Sequence, residues 1–214
     1  MERLKPIDKI TLKDMYNDMQ LYSGLADGLI QLPLPEYFTL KKNYPIPKDL
    51  DEFTENICYG QRLFLIRKEE NDIAMILRLI DGYYYPIVTG EPWDEKKSLL
   101  FGKRVVNCKI IDLYPLAMHL VALVSEMSER ENKLLHRSPT KQEKVAGIDK
   151  LSIFSELTSL DFLRDSLKKT IDEVILTPYN ECLVRFMLAK ETAAYQERYF
   201  DVLKREAESK NKFK

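Results

Sequence analysis

Glycine is scarce in this chain, with 7 residues in 214, and none falls in a phosphate-cradling pattern. There is no GxxxxGK[ST], no GxGxxG and no GxSxG, so the nucleotide-binding loops and the nucleophile elbow are absent as motifs. Cysteine is scarce as well. Cys58, Cys108 and Cys182 are odd in number and widely spaced. That excludes a disulfide framework and CxxC zinc chemistry, and points to a reducing compartment. The 2 histidines, His119 and His136, have no carboxylate or cysteine at ligand spacing such as HxxxH or HxxE,. His119 reads as a hydrogen-bonded core residue and His136 as a cation at a helix C-terminus. Charge of one sign is missing too. With 33 basic and 34 acidic side chains the net charge is −1, which gives no global attraction to nucleic acid or to an anionic membrane. The first thirty residues carry none of the three regions of a signal peptide,. The longest apolar run, Leu113–Val124, falls short of the about 20 residues that a bilayer requires, so it is expected to be a buried helix,.

What is present is helix-forming material. Apolar residues make up 45% and charged residues 31%, enough for a core with densely charged outer faces. Three stretches are expected: residues 1–50 as an N-terminal helix and extended arm, 51–177 as a helical core domain, and 178–214 as a long C-terminal helix with a basic tail. Thr11 can cap a first helix bearing Leu12, Met15, Tyr16 and Met19. Pro33, Pro35, Pro45 and Pro47 punctuate residues 31–47, so this arm is extended or a short hairpin. A helix over 51–68 turns Phe53, Ile57, Leu63, Phe64 and Ile66 inward, with Gly60 a potential interruption. From Asp72, the residues Ile73, Ile76, Leu77, Ile80 and Tyr84 form the clearest amphipathic stripe, ended by Tyr83-Tyr84-Tyr85-Pro86. Asp94 and Glu95 open a helix to about Cys108. Asp112 is expected to cap a central helix to residue 136, with Pro115 in its first turn. Thr140 with Glu143 and Thr170 with Glu173 spell capping boxes.

Thr177-Pro178 places a cap and an N1 proline before the last helix. Tyr179, Phe186, Ala193, Phe200 and Ala207 recur every seven residues, with Cys182, Ala189, Gln196 and Leu203 three residues after the first four. This is an a/d seam diluted by alanine and Gln196. It packs either on the chain's own body or on a partner helix.

Candidate contact residues follow from these elements. Tyr37, Phe38 and Tyr44 on the arm lie either on the chain's own domain or on a neighbouring subunit. Tyr84 and Trp93 belong to an aromatic cluster with Tyr83 and Tyr85. Acidic neighbours (Asp81, Glu91, Asp94, Glu95) argue against stacking on nucleic-acid bases. Such a cluster packs onto the fold or serves as a protein–protein hot spot. Asp81 is the one carboxylate in an aromatic context. On the last helix Phe186, Phe200 and Leu203 are the expected contacts. No residue is assigned to catalysis, to a cofactor or to a metal.

One resemblance spans Glu55 to about residue 200. It is carried by Glu55-Asn56-Ile57-Cys58-Tyr59-Gly60-Gln61-Arg62, by Gly82-Tyr83-Tyr84-Tyr85-Pro86, by the apolar helix from Leu113, by Ala146-Gly147-Ile148 and by Thr177-Pro178-Tyr179-Asn180. The pattern resembles small helical proteins from the tail and structural gene modules of tailed bacteriophages, crAss-like phages in particular. The resemblance implies a non-enzymatic virion structural or cargo protein near the portal and tail, made in the host cytoplasm. The other role it implies is a cytosolic tail-assembly chaperone absent from the mature particle. Its partners would be copies of itself and other phage structural proteins, with no small-molecule substrate, no membrane and at most indirect nucleic-acid contact. It transfers no site residue.

If the heptad seam joins chains, replacing both Phe186 and Phe200 by Ala disrupts assembly and leaves monomer helicity intact. If the seam is internal, the same pair of changes unfolds the protein. Sedimentation and circular dichroism separate the two outcomes.

Overall fold

In a computed structural model of the chain, which describes residues 5–18, 23–69, 71–148, 150 and 154–212, most helices begin at a residue whose side chain caps them. Thr11 opens α1 (Leu12–Asn17) with a reciprocal box to Asp14. Met19, expected on this helix, lies outside the described residues. After α2 (Ala26–Ile30) comes an antiparallel hairpin of β1 (Tyr37–Thr39) and β2 (Asn43–Pro45), with Phe38 opposite Tyr44. Asp49 caps α3 (Leu50–Glu55), and α4 (Tyr59–Leu65) follows. Asn71 caps α5 (Asp72–Thr89), and Asp94 caps α6 (Glu95–Val105). Next come α7 (Ile110–Leu135), α8 (Lys141–Val145), α9 (Ser155–Leu167) and α10 (Ile171–Ile175), the last opened by the Thr170–Glu173 box. The 34-residue α11 (Tyr179–Lys212) ends the described chain. The fold is an all-α multi-helix domain with a long C-terminal helix.

Several boundaries differ from the sequence pattern, each for an identifiable reason. The helix expected over 51–68 is split between Asn56 and Cys58, not at Gly60. There the chain runs extended against 177–179: Tyr59 N donates to Thr177 O at 2.9 Å and Tyr179 N to Ile57 O at 3.0 Å. Those two bonds remove 57–58 from the helical ladder. Gly60 stays helical because its face is packed. A Cβ there would lie 2.4 Å from Ile175 Cγ2 and 2.6 Å from the Trp93 ring. The central helix starts at Ile110, so Asp112 sits in its first turn and is not its cap.

The third difference is α5, which passes through Pro86 to Thr89 where the sequence pattern ends it at the tyrosines. Proline has no N–H, so the carbonyl four residues earlier, that of Gly82, loses its helical donor. The Gln61 side chain replaces it: Gln61 Nε2 donates to Gly82 O at 2.8 Å. The same side chain's Oε1 accepts from Cys58 N at 3.0 Å. Gly82 itself lets α4 approach, since a Cβ there would fall 2.8 Å from the Phe64 ring.

The main core forms around α5 and α7. Ile73, Ile76, Leu79 and Ile80 meet Leu113, Leu116, Leu120 and Leu123, with Phe53, Phe101 and Val105 closing the sides. The hairpin and α1 join it through Phe38, Ile10 and Leu12. A smaller cluster of Tyr59, Leu63, Leu163, Val174 and Cys182 lies under α4, α9, α10 and α11. By length and composition α7 could cross a membrane, with a mean hydropathy of 1.4 over its most apolar window. Half of that window is buried inside this fold.

Gln61→Met strands the buried Gly82 carbonyl and is expected to cost about 1–3 kcal/mol. Pro86→Ala returns an N–H to that carbonyl. In the Pro86→Ala background the Gln61→Met penalty should therefore shrink by about 1 kcal/mol or more, as read in a urea double-mutant cycle. Equal penalties in both backgrounds would remove the link between the two residues.

Candidate functional site

The residues singled out in the sequence do not gather at one surface site. Phe38 and Tyr84 are interior, and this corrects their assignment as contact residues. Their rings meet at 4.4 Å, and Tyr84 Oη donates to Pro45 O at 3.2 Å. The apolar stripe of α5 explains it: Tyr84 continues that stripe, so it faces the same core. Trp93 is half-buried, 5.9 Å from Phe64, with its ring over Gly60. It packs the α5–α6 loop onto the body. Tyr37 remains exposed and Tyr44 half-buried. His119 is a structural residue. Its Nε2 stands 2.7 Å from Pro47 O, and because a carbonyl only accepts, that nitrogen carries the proton,. His136 is the C-cap of α7. Among the described residues no group of three His, Cys, Asp or Glu side chains is placed to hold a metal.

The last helix divides along its length and around its circumference. Tyr179, Cys182 and Leu183 are buried, and Phe186 stacks on Phe162 at 5.3 Å. Lys190 Nζ donates to Leu134 O at 2.7 Å, and Arg137 pairs with Glu197. The predicted seam thus faces the body through its first half, and Phe186 belongs to the smaller core cluster. Beyond Glu197 no hydrogen bond or ion pair among the described residues ties α11 to the rest, and Phe200 and Leu203 are exposed.

A second stripe, which the heptad reading missed, runs up the opposite side. At about 100° per residue, Val184, Leu188, Tyr195, Tyr199 and Val202 fall within an arc of about 60°. Their exposure lies between 49% (Val202) and 60% (Val184 and Tyr195). Tyr195 and Tyr199 stack on each other at 6.2 Å. The stripe extends about 27 Å from Val184 to Val202. The signal was in the sequence as 188–195–202 spacing, masked by the stronger apolar content of the body-facing side.

A cleft of about 680 Å³ opens between α1, α5 and α6. Arg78 and Asp81, one turn apart on α5, line it while buried to 7% and 2% exposure. Arg78 Nε and Asp81 Oδ1 have no hydrogen-bond partner among the described residues. Asp81 Oδ2 lies over Gly102, where a Cβ would come within 2.4 Å of it. Burial pushes the Asp81 carboxyl up to about 8, so the neutral acid dominates at pH 7. Two charged residues inside the apolar segment Ile73–Tyr85 are the sequence signal for this site. The aromatic neighbours mark Asp81 in the sequence, and Arg78, set among aliphatic residues, has no mark beyond its charge.

Comparison of the chain with protein families, with curated sequences and with solved structures gives no match.

The raised Asp81 value has a stability consequence. Between its unfolded value of about 3.8 and its folded value of about 8, the native state holds a proton that the unfolded chain has released. Stability therefore falls with rising pH across that window, with a slope of about 1.4 kcal/mol per pH unit from this group. Asp81→Asn cannot ionise. It should flatten that part of the profile, so that its gain over the parent grows from pH 5 to pH 8 in denaturant titrations.

Proposed function

We propose that this chain is a non-enzymatic assembly protein that pairs through the outer face of α11 with the same helix of a second copy. The observation that carries this reading is the exposed apolar stripe from Val184 to Val202 on a helix whose end leaves the body. Contiguous exposed apolar surface on a soluble domain marks an interaction site, and an amphipathic helix laid on a helix is a common way to use one. The charges bordering the stripe favour a second copy. Glu191 and Arg198 flank it on one side, seven residues apart. A two-fold, antiparallel placement sets each Glu191 beside the Arg198 of the other copy and repeats the pair by symmetry. Phe200, Leu203 and the exposed Tyr37 lie outside this stripe and are left for neighbours of other kinds.

The resemblance to tailed-phage structural proteins supports a more particular version. The chain is a structural or cargo component of a virion near the portal and tail, made in the host cytoplasm and assembled with copies of itself and with other virion proteins. Repeated self-contact through a projecting helix suits that role, and the work done is binding, with no bond made or broken. The alternative is a tail-assembly chaperone, which uses the same helix and leaves before the particle is complete.

Tyr195→Ser with Tyr199→Ser should convert a dimer or larger assembly to monomer in sedimentation, with unchanged helical content by circular dichroism, because both rings are exposed. Phe186→Ala should instead destabilise the monomer by about 2–4 kcal/mol, since it removes an aromatic ring from a packed cluster. A parent chain that stays monomeric at every accessible concentration overturns the proposal. Mass spectrometry of purified particles divides the virion component, which is present, from the chaperone, which is missing.

A further inference from the structure

The α1–α5–α6 cleft combines an apolar wall with two buried polar atoms, Arg78 Nε and Asp81 Oδ1, that have no hydrogen-bond partner among the described residues. Its volume of about 680 Å³ lies inside the range of about 300–1,000 Å³ typical of small-molecule sites. Leu77, Leu99 and Val106 line it, with Tyr16 at the edge. Leaving a buried donor without an acceptor is unfavourable, and more so for a charged group. Arg78 Nε is in that state. Its Nη1 reaches Glu69 Oε1 only at 3.5 Å, a long contact for an ion pair,. Asp81 Oδ1 is likewise unpaired on the same helix face, one turn on.

The charges around the cleft select the sign of what would fill it. Lys13 and Lys103 join Arg78 as basic residues, and Glu69 is the one acid besides Asp81 among the lining residues. Asp81, uncharged at neutral pH, adds no negative charge and has a proton to donate. A planar or tetrahedral oxyanion matches this set: a guanidinium offers it charge and N–H donors, and a neutral carboxyl offers an O–H. The leucines and Val106 next to these groups give no purchase to a bare inorganic ion, but they suit a hydrocarbon or aromatic body.

The geometry points to a binding site for a small amphipathic organic anion, its carboxylate or phosphate head held by Arg78 and Asp81 and its apolar body lying along Leu77, Leu99 and Val106. The site shares no residue with the outer face of α11. It stands or falls separately from the assembly role.

Decanoate and decyl phosphate, kept below their micellar concentrations, serve as probes of the full-length protein by calorimetry. Decanol and decyltrimethylammonium are the neutral and cationic controls. One saturable site for at least one of the anions is expected, with decanol and the cation weaker by about tenfold or more, the worth of one charge-assisted contact. Arg78→Gln should weaken the anion by a similar factor. Because Arg78 is buried and its replacement can perturb folding, Leu99→Glu is the second variant. Leu99 is 56% exposed, so that change leaves the fold intact and sets a negative charge on the wall. Both variants weakening the anion by a larger factor than they weaken decanol supports the site. Equal binding of decanol and decanoate, preference for the cation, no saturable binding of either anion, or indifference to Leu99→Glu overturns it.

Discussion

A short extended crossing sets where this molecule's main pieces point. Ile57 and Cys58 lie antiparallel to Thr177, Pro178 and Tyr179, and the hydrogen bonds Tyr59 N to Thr177 O and Tyr179 N to Ile57 O close the crossing. Each strand of it ends where a helix begins, so one contact fixes the first turns of both α4 and α11. Pro178 suits the place, because at the entry of a helix its missing N–H would have no partner in any case. With its origin pinned, α11 can turn only one side to the body. Tyr179, Cys182 and Phe186 take that side, and the stripe through Leu188, Tyr195 and Tyr199 is turned outward as a consequence. The exposure of that stripe follows from the crossing and the helical period together.

The interior of α5 shows the same accounting of backbone groups at work. Pro86 would end the helix if the Gly82 carbonyl had to go unpaired. Gln61, reaching from α4, supplies the donor and ties the two helices together. Gly82 leaves room for Phe64 at the same level. Three residues from two helices thus solve one local problem, and the helix gains its last turn. Arg78 Nε and Asp81 Oδ1, on the same helix, find no such partner among the described residues. The contrast is informative: the fold pairs a buried carbonyl across 21 positions of sequence, yet leaves a buried guanidinium N–H and a carboxyl oxygen facing a cleft.

How much of this is legible in the sequence varies with the range of the interaction. Caps are local, so Thr11, Asp94 and the Thr170–Glu173 box mark true helix starts. The stripe Ile73, Ile76, Ile80 and Tyr84 is equally local and equally sound. Long-range pairings leave no such trace. Nothing near Cys58 announces that Thr177 will take its neighbour's N–H, so propensity offers only a potential interruption at Gly60, whereas the fold breaks the helix between Asn56 and Cys58. The same holds for Pro86, whose remedy lies on another helix. On α11 the period was readable but the choice of side was not. Two apolar stripes share the helix, and only the crossing decides that the one containing Phe186 turns inward. Phe38 and Tyr84 were legible as aromatic and not as buried, because their burial comes from a hairpin meeting a helix.

The two proposed roles draw on different elements, and this bears on how they can coexist. The outer stripe belongs to α11 alone, where the body-facing side is anchored as far as Arg137 and Glu197. The cleft belongs to α1, α5 and α6, held by α1's hydrogen bonds to the turn before α7: Leu12 N to Cys108 O at 3.2 Å and Lys13 N to Val106 O at 2.8 Å. No lining residue of the cleft comes from α11. An occupant there would stabilise the folded state by mass action, and would do so most through the pairing of Arg78 and Asp81, whose isolation now weighs against folding. Pairing of α11 would bury surface that is exposed whether or not the cleft is filled. For one event to influence the other, the shared core of α5 and α7 would have to possess two arrangements. Ile76, Leu79 and Ile80 share one buried cluster with the α7 leucines, and two sites with no residue in common should act additively.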